Sequence, residues 1–283
     1  MEVLKADTTK VSSYVAKSKL RRVDHYSRMA LLAAGRALEN VSPAMVSRQH
    51  TGLIIATGFG ALNSTFSFLD SYLDQGDKLA APTWFSGSVH NAAAAYISIC
   101  YGLTGPCLTV SQFDLSFASA LLSAQAWLNT GRVDAVLIGA VDEWCDVSGY
   151  CIQKLNTHTG KMKGSFGEGA SFFLITRETD TVPAIGFLDN IYLGRDLIVN
   201  SPDMDDIIFS PCAAHERCNP CSLENNISPD TRLRKRVRAG SPTDMGMDVW
   251  FALSGGGYTG EKTCCIKQGA NQMFGSVTAI KAH

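Results

Sequence analysis

The residues with the clearest chemical potential lie in segment 105–118, Gly-Pro-Cys-Leu-Thr-Val-Ser-Gln-Phe-Asp-Leu-Ser-Phe-Ala. Its first part has the composition of a buried strand and its last part that of a small-residue helix, with a sharp turn between them. A helix that begins at such a turn offers free N–H groups and a positive dipole end, which activate a thiol and hold an oxyanion. The residue at this turn is Asp114. Its carboxylate is also a good N-cap for a helix beginning at Leu115, so a chemical and a structural interpretation are both open.

A second candidate site is the regular cluster Cys212, His215, Cys218 and Cys221, with two residues between neighbours. Zinc sites usually consist of two separated ligand pairs, whereas iron–sulfur clusters use spacings this short. The alternative is an ordinary loop, and we expect no metal there. We also expect no cofactor, because the glycine-rich stretches 164–169 and 255–257 match neither a dinucleotide-binding nor a phosphate-binding loop.

Helices and strands alternate through the first part of the chain. Apolar residues recur at helical spacing in four segments: 22–38, 63–73, 89–100 and 115–128. Short continuous apolar runs predict strands between and after them: 53–57, 108–110, 135–141 and 170–176. Asp24 is the expected N-cap of the first helix and Gly102 the expected end of the third. This alternation predicts an α/β fold with a mostly parallel sheet covered on both faces.

The pattern weakens beyond about residue 200. Segment 201–243 contains prolines, cysteines and the basic run 232–238, and is predicted to be a long irregular connection. The basic run is either a solvated face or a docking site for an acidic partner. Residues 249–253 form a predicted strand, and a last helix is predicted after Asn271.

The overall composition is that of a compact globular protein, because 283 residues of which 46% are hydrophobic can bury a large core. The net charge of -1 gives no indication of nucleic acid or an anionic membrane as a partner. The chain has no apolar run long enough for a membrane span, and its start lacks the pattern of a secretion signal. We therefore expect a cytoplasmic protein whose nine cysteines are reduced core thiols.

Four motifs, in the same order as in a known family, carry a resemblance: Ser88-Val89-His90-Asn91-Ala92, Tyr101-Gly102-Leu103-Thr104-Gly105-Pro106, the strand 135–141 with Asp142-Glu143, and Phe166-Gly167-Glu168-Gly169-Ala170-Ser171. Over residues 21–177 the chain resembles the N-terminal half of a β-ketoacyl synthase. In particular it is similar to the chain length factor subunits of type II polyketide and aryl polyene systems. The resemblance implies a thiolase-like α/β fold with two similar halves, here one domain over 1–283 whose C-terminal half, 178–283, is reduced.

The resemblance also implies where catalytic residues should lie. In the family the nucleophilic cysteine lies eight residues after the proline of Gly-Pro, a position that Asp114 holds here. A carboxylate is a poor substitute, because the acyl anhydride that it would form is labile. A family histidine in a Lys-x-x-x-Gly-His pattern corresponds to Gln272, which cannot act as a titratable base. No segment matches the family's other histidine.

These losses predict a chain that does not condense and is inactive alone. The resemblance then implies a chain length factor that forms a heterodimer with an active β-ketoacyl synthase, an acyltransferase that works with an acyl carrier protein in polyketide or fatty-acyl biosynthesis. On this interpretation Trp84, Phe85, His90, Asn91 and Phe113 line the acyl tunnel or the subunit interface. Trp84 and Phe85 could plug the tunnel or simply pack in the interface.

Two other functions stay open. Asp114 with nearby Ser111 or Ser116 could support decarboxylation or acyl transfer on carrier-bound substrates without a thioester intermediate. The cluster at residues 212–221 could belong to a metal-binding regulatory protein on a thiolase-like scaffold. Turnover of a malonyl carrier by this chain alone and elemental analysis of the purified protein distinguish these functions from the partner function.

Overall fold

The computed structural model describes residues 3–159, 166–177, 184–194, 206–210, 232–235, 262–268 and 274–281, together with Val249 and Leu253. The helices of this part are α1 His25–Leu38, α2 Leu62–Gln75, α3 Pro82–Ser88, α4 Ala92–Tyr101, α5 Ser116–Asn129 and α6 Asp146–Thr159. Its strands are β1 Val3–Leu4, β2 Thr51–Thr57, β3 Cys107–Ser111, β4 Ala135–Asp142, β5 Phe166–Gly167, β6 Gly169–Thr176, β7 Gly186–Gly194, β8 Asp206–Ser210, β9 Arg232–Lys235, β10 Lys262–Gln268 and β11 Phe274–Lys281.

The first large sheet has the strand order β3-β2-β4-β6. In it β2 is parallel to β3 and β4, and β6 is antiparallel to β4. Both faces of the sheet are covered. Leu53 and Ile55 of β2 belong to a core with α1 and α4, whereas Ile54 and Ala56 belong to a core with α5. Because side chains alternate between the two faces of a strand, this burial requires the continuous apolar runs from which the strands were predicted.

The second large sheet has the order β7-β11-β10-β8-β9. Here β8 is parallel to β9 and β10, and β11 is antiparallel to β10. The first sheet has the same arrangement. Its first strand along the chain, β2, lies between the second, β3, and the third, β4, and its fourth strand, β6, pairs antiparallel with β4. The second sheet therefore repeats the topology of the first, with β7 added beyond β11. Residues of α5, β10 and β11 share one core, so α5 lies between the two sheets.

Three predictions for the C-terminal part are wrong. Segment 201–243 is not irregular throughout, because β8 and β9 lie within it. Val249 and Leu253 have helical backbone instead of strand, and their spacing of four places both on the face that meets the α5 core. Where a helix was predicted after Asn271, Phe274–Lys281 form strand β11, in which Val277 and Ala279, two apart, are both buried.

Two helix ends follow the sequence prediction. The Asp24 carboxylate accepts a hydrogen bond from the Ser27 N–H at 2.8 Å and so caps α1. Gly102 ends α4 with φ +67°, a left-handed conformation that glycine adopts readily. No helix among the described residues is long and apolar enough to cross a membrane.

Candidate functional site

Asp114 lies in a short 3-10 turn, Phe113–Leu115, between β3 and α5. Phe113 has φ +48°, in the left-handed region, which costs a non-glycine residue about 1–3 kcal/mol. The prediction that Asp114 caps the helix is wrong, because α5 begins at Ser116 and its N-cap residue is Leu115. The 3-10 turn moves the Asp114 carboxylate one position away from the place where a capping side chain meets the free N–H groups of the helix.

The Ser116 hydroxyl holds this turn against the end of β2. Its Oγ accepts a hydrogen bond from the Gln112 N–H at 2.8 Å. The same Oγ lies 2.9 Å from the carbonyl oxygen of Thr57 and 2.7 Å from that of Phe113, so it donates to this pair. Ser116 is fully buried, and these contacts keep Phe113 in its unusual conformation.

The two hydroxyls that could assist Asp114 in chemistry are engaged with backbone groups. Ser111 Oγ donates to the carbonyl oxygen of Gly58 at 3.2 Å, and Ser116 is held as described above. Each therefore fixes the shape of the turn, and no observation favours either as the chemical partner of Asp114.

A buried carboxylate shapes the loop that follows β2. Asp142 Oδ1, at the end of β4, accepts hydrogen bonds from Thr57 Oγ1 at 2.9 Å, from the Gly58 N–H at 2.9 Å and from the Phe59 N–H at 3.3 Å. Thr57 Oγ1 in turn accepts from the Gly60 N–H at 2.9 Å. Because β2 and β4 are parallel neighbours, their carboxyl ends meet at the same sheet edge. The network fixes the backbone of Phe59.

Phe59 contacts the Asp114 turn, and His90 contacts the loop that carries Phe59. The rings of Phe59 and Phe113 meet edge to face with their centroids 5.8 Å apart. The His90 ring lies against Gly60, since a Cβ on that glycine would be 3.1 Å from the ring carbon Cδ2. Phe113 is 64% exposed, and Phe59 is also exposed. The surface at the carboxyl ends of β2 and β3 therefore has two exposed aromatic rings in contact, with Asp114 next to Phe113 in the turn and an imidazole against the loop that carries Phe59.

The other predicted tunnel or interface residues lie on α3 and before α4. Asn91 is exposed and precedes α4 without a capping hydrogen bond from its side chain. Trp84 and Phe85 lie on α3 and are both exposed. The Phe85 ring packs on the Phe68 ring of α2, with centroids 5.2 Å apart. Phe113 thus lies in the Asp114 turn itself, His90 lies against Gly60, and Phe85 packs on α2.

Glu168 connects three segments of the N-terminal part of the chain. Its carboxylate accepts hydrogen bonds from the Ala6 N–H at 3.0 Å and the Trp144 N–H at 3.0 Å, and it lies 2.7 Å from His25 Nε2. Burial by itself would raise the pKa of Glu168, but these backbone donors and His25 together hold it below its ordinary value. Glu168 therefore joins the N-terminal segment, α1 and the loop after β4.

Glu143 joins α2 to the same loop. It accepts a hydrogen bond from the Asn63 N–H at 2.8 Å, and Asn63 Nδ2 donates to the Trp144 carbonyl at 3.0 Å. Burial raises the pKa of Glu143. Sequence motifs included Asp142, Glu143 and Glu168 without assigning them a role. The signal was an acidic pair at the end of an otherwise apolar strand for Asp142 and Glu143, and an acidic residue directly before such a strand for Glu168. Only hydrogen-bond donors can compensate the burial of these carboxylates.

The thiol on the strand that leads to Asp114 is not activated. Cys107 lies at the opposite end of β3, and burial raises its pKa, whereas a reactive thiol has a lowered one. Gln272 and the cluster of Cys212, His215, Cys218 and Cys221 lie outside the described residues. Within the described ranges, no three His, Cys, Asp or Glu residues form a group that could hold a metal ion.

Residues 4–179 match the family model of the β-ketoacyl synthase N-terminal domain. The chain belongs to this family. The matched range includes the 21–177 segment in which the four motifs carried the resemblance, and it contains the first sheet, the Asp114 turn and Glu168.

Curated relatives of this β-ketoacyl synthase family chain are distant. It is 27% identical over 132 residues to the putative mitochondrial 3-oxoacyl-[acyl-carrier-protein] synthase of Schizosaccharomyces pombe, covering 46% of this chain and 31% of that protein. It is 25% identical over 138 residues to 3-oxoacyl-[acyl-carrier-protein] synthase 2 of Rhizobium meliloti, covering 48% of this chain and 33% of that one. The match thus spans about a third of each relative's length.

Solved structures confirm the fold. The ishigamide ketosynthase/chain length factor superposes with a TM-score of 0.76 at 16% identity, over 99% of this chain and 87% of that one. A type II polyketide synthase acyl carrier protein in complex with its hexaketide-bound ketosynthase gives 0.75 at 14% identity, over 99% and 90%. At such identities the similarity establishes the thiolase-like ketosynthase fold, a mixed α/β fold with parallel and antiparallel strand pairs, as the resemblance implied.

Proposed function

We propose that the chain is a non-condensing chain length factor that pairs with an active β-ketoacyl synthase and shapes the wall of the acyl tunnel. The observation that carries this proposal is Asp114 at the strand–turn–helix junction where the family has its nucleophilic cysteine. The left-handed conformation of Phe113 and the contacts of Ser116 hold the backbone of this turn, but residue 114 has no thiol.

The edge of the first sheet supports a heterodimer. Strand β3 pairs with β2 on one side, and among the described strands none pairs with its other side. Phe113, just beyond its end, is exposed, as is Ile99 on the neighbouring helix α4. An unpaired edge flanked by apolar side chains is a site that proteins normally cover. A partner synthase that adds its own strand here would cover it.

A basic segment supports an acyl carrier protein as the second partner. Lys17, Lys19, Arg21 and Arg22 are all exposed, and Leu20 between them is buried and anchors the segment. None of these four cations forms an ion pair with another described residue. Carrier proteins of this family's systems present an acidic helix, so a cationic surface would attract them.

The tunnel role is proposed for four of the predicted tunnel or interface residues. His90, Asn91, Phe113 and Trp84 would contribute polar and aromatic groups to a cavity that the partner closes. Aromatic side chains are rigid and bulky, so they set the length of a cavity more sharply than flexible aliphatic ones.

The test is reconstitution with a condensing β-ketoacyl synthase and an acyl carrier protein from the same organism. We expect condensation only in the presence of the partner, an unchanged rate with Asp114→Ala, and longer products with Trp84→Ala than with the remote control Ile185→Ala. Condensation or malonyl-carrier turnover by this chain alone, or a product length that Trp84→Ala leaves unchanged, would contradict the proposal.

A further inference from the structure

Helices α2 and α3 form a hairpin, residues 62–88, that the structure describes throughout and that is buried at only two positions. These are Ser64, near the start of α2, and Gly87, near the end of α3. The two meet at the base of the hairpin, because a Cβ on Gly87 would lie 3.2 Å from Ser64 Oγ and 3.6 Å from Asp24 Oδ2. The α2–α3 hairpin therefore packs on the start of α1 by its base.

Contacts between the two helices hold the α2–α3 hairpin together as one unit. The rings of Phe68 and Phe85 pack with their centroids 5.2 Å apart. Near the connection, Ser71 Oγ accepts a hydrogen bond from the Ala81 N–H at 3.1 Å and donates to the Phe68 carbonyl at 2.7 Å. Because these contacts lie within the hairpin, a displacement of it would take place at its base.

Glu143 joins the base of the hairpin to the first sheet. Helix α2 begins at Leu62, and its N-cap residue Ala61 provides no side-chain acceptor. Glu143, directly after β4, accepts the hydrogen bond of the Asn63 N–H at 2.8 Å and so satisfies a free N–H group of the first turn. Asn63 Nδ2 donates to the Trp144 carbonyl at 3.0 Å. We call these two hydrogen bonds the base clasp.

Glu143 has fewer donors than the other two buried carboxylates near it. Each of those two has contacts with three donor groups: Asp142 and Glu168. Among the described residues, Asn63 alone donates to Glu143, although Glu143 is only 8% exposed. Ionisation of a buried carboxylate is costly unless donors compensate it. Of the three, Glu143 is therefore the carboxylate whose charge is least supported.

The charges that face Glu143 come from the start of α1. The Asp24 carboxylate raises the pKa of Glu143 and His25, which is paired with Glu168, lowers it; the buried Tyr26 hydroxyl also interacts with it. The first turn of α2 contains no charged residue. Burial is the largest effect, and the pKa of Glu143 is raised. The base clasp is therefore favoured while Glu143 is protonated, and it weakens as the pH rises from 4.5 through the raised pKa.

We propose that Glu143 is a proton-dependent switch that fixes the α2–α3 hairpin on the first sheet and frees it to move when the carboxylate ionises. The protonated carboxyl group retains an oxygen that accepts from the Asn63 N–H, whereas the carboxylate gains hydration if the base opens and its proton passes to water. The ends of the hairpin connect to the loops that carry Phe59 and His90, and the His90 ring lies against Gly60. A shift at the base would therefore move both side chains.

The test is amide hydrogen exchange of the full chain, followed by mass spectrometry from pH 5 to pH 8 and corrected for the intrinsic exchange rate. We expect the protection of residues 62–75 to fall about threefold or more over this range, the effect of one weakened hydrogen bond. Residues 58–60 and 89–91 should follow the hairpin, whereas residues 116–129 of α5 should keep their protection. The absence of a fall, or an equal fall in α5, would overturn the proposal.

Three variants assign the pH dependence. Glu143→Gln keeps an acceptor oxygen but cannot ionise, so its hairpin should have the same protection at pH 5 and pH 8. Asn63→Ala removes the bond to the Trp144 carbonyl and should lower the protection at both pH values without abolishing the fall. Asp74→Asn, at an exposed position of α2, is the matched control and should behave as the unaltered chain. A fall that persists in Glu143→Gln would assign it to another group and overturn the proposal.

Discussion

At the scale of single residues, the turn at Asp114 is maintained by its neighbours. Phe113 adopts φ +48°, and the Ser116 hydroxyl and the Phe59 ring hold it there. Side chains other than that of residue 114 therefore hold much of the backbone of the turn. A site of this kind separates part of its geometry from its reactivity.

The first prediction follows from this separation. In Asp114→Cys, the new thiol should react with iodoacetamide about two- to fivefold faster than the thiol of Ser111→Cys, because a helix N-terminus stabilises a thiolate by roughly 0.3–1 kcal/mol. The measurement is the alkylation rate of each variant by mass spectrometry at neutral pH and low salt. Equal rates would show that residue 114 does not sense the N-terminus of α5.

At the scale of elements, the start of β3 depends on a close approach of two backbones. A Cβ on Gly105 would lie 2.2 Å from the carbonyl oxygen of Thr51, far inside van der Waals contact. The neighbouring Pro106 carbonyl accepts from the Leu53 N–H at 2.9 Å, which fixes the register of β3 on β2. The Gly-Pro pair is therefore required by the strand that leads to Asp114.

We expect Gly105→Ala to lower the free energy of unfolding by about 1–3 kcal/mol, because the added methyl group has to push β3 away from β2. The matched control is Gly169→Ala on β6, where a Cβ would meet nothing within 4 Å, and it should change stability by less than about 0.5 kcal/mol. Urea unfolding of both variants measures the difference. Similar losses in the two variants would contradict the packing argument.

Some strands could be predicted from the sequence and others could not, for a physical reason. Strand β2 and strand β4 are buried on both faces, so their own composition specifies them. Strands β8 and β9 are set by pairing with distant strands, and β9 contains three basic residues at a sheet edge, where charge protects against edge-to-edge association.

In the site, the Asp114 turn was predictable from local sequence. The contacts of Phe59 and Asp142 were not, because they join segments far apart in the chain.

At the scale of the whole molecule, Glu168 ties the beginning of the chain to the first sheet. It contacts Ala6, His25 and Trp144, and the short strands β1 and β5 pair beside it. Its folded pKa is lowered, so it stabilises the protein above its ordinary value of 4.5 and loses this effect as the pH falls through the folded pKa. Glu143, whose pKa is raised, has the opposite dependence and disfavours the folded state as the pH rises.

Glu168→Gln should therefore destabilise the protein by about 1–3 kcal/mol at pH 7, because an amide nitrogen would replace one acceptor among three donors. The difference from the unaltered chain should shrink as the pH falls from 4.5 through the lowered folded pKa of Glu168, below which the carboxylate is protonated in both states. Thermal or urea unfolding at a series of pH values from 7 down past that pKa measures it. The exposed Glu39→Gln serves as the control, and a loss that is independent of pH would contradict the electrostatic explanation.

Helix α5 packs on the first sheet with one side and on Cys265 and Val277 of the second sheet with the other. The match to the model of the family's N-terminal domain ends at residue 179, but that boundary runs through a shared interior. A truncated version ending there would expose the apolar face of α5 to water, and it would aggregate or require a detergent. Any shortened version for laboratory use should therefore retain residues 262–281, because the segment recognisable by similarity is smaller than the segment that has to fold together.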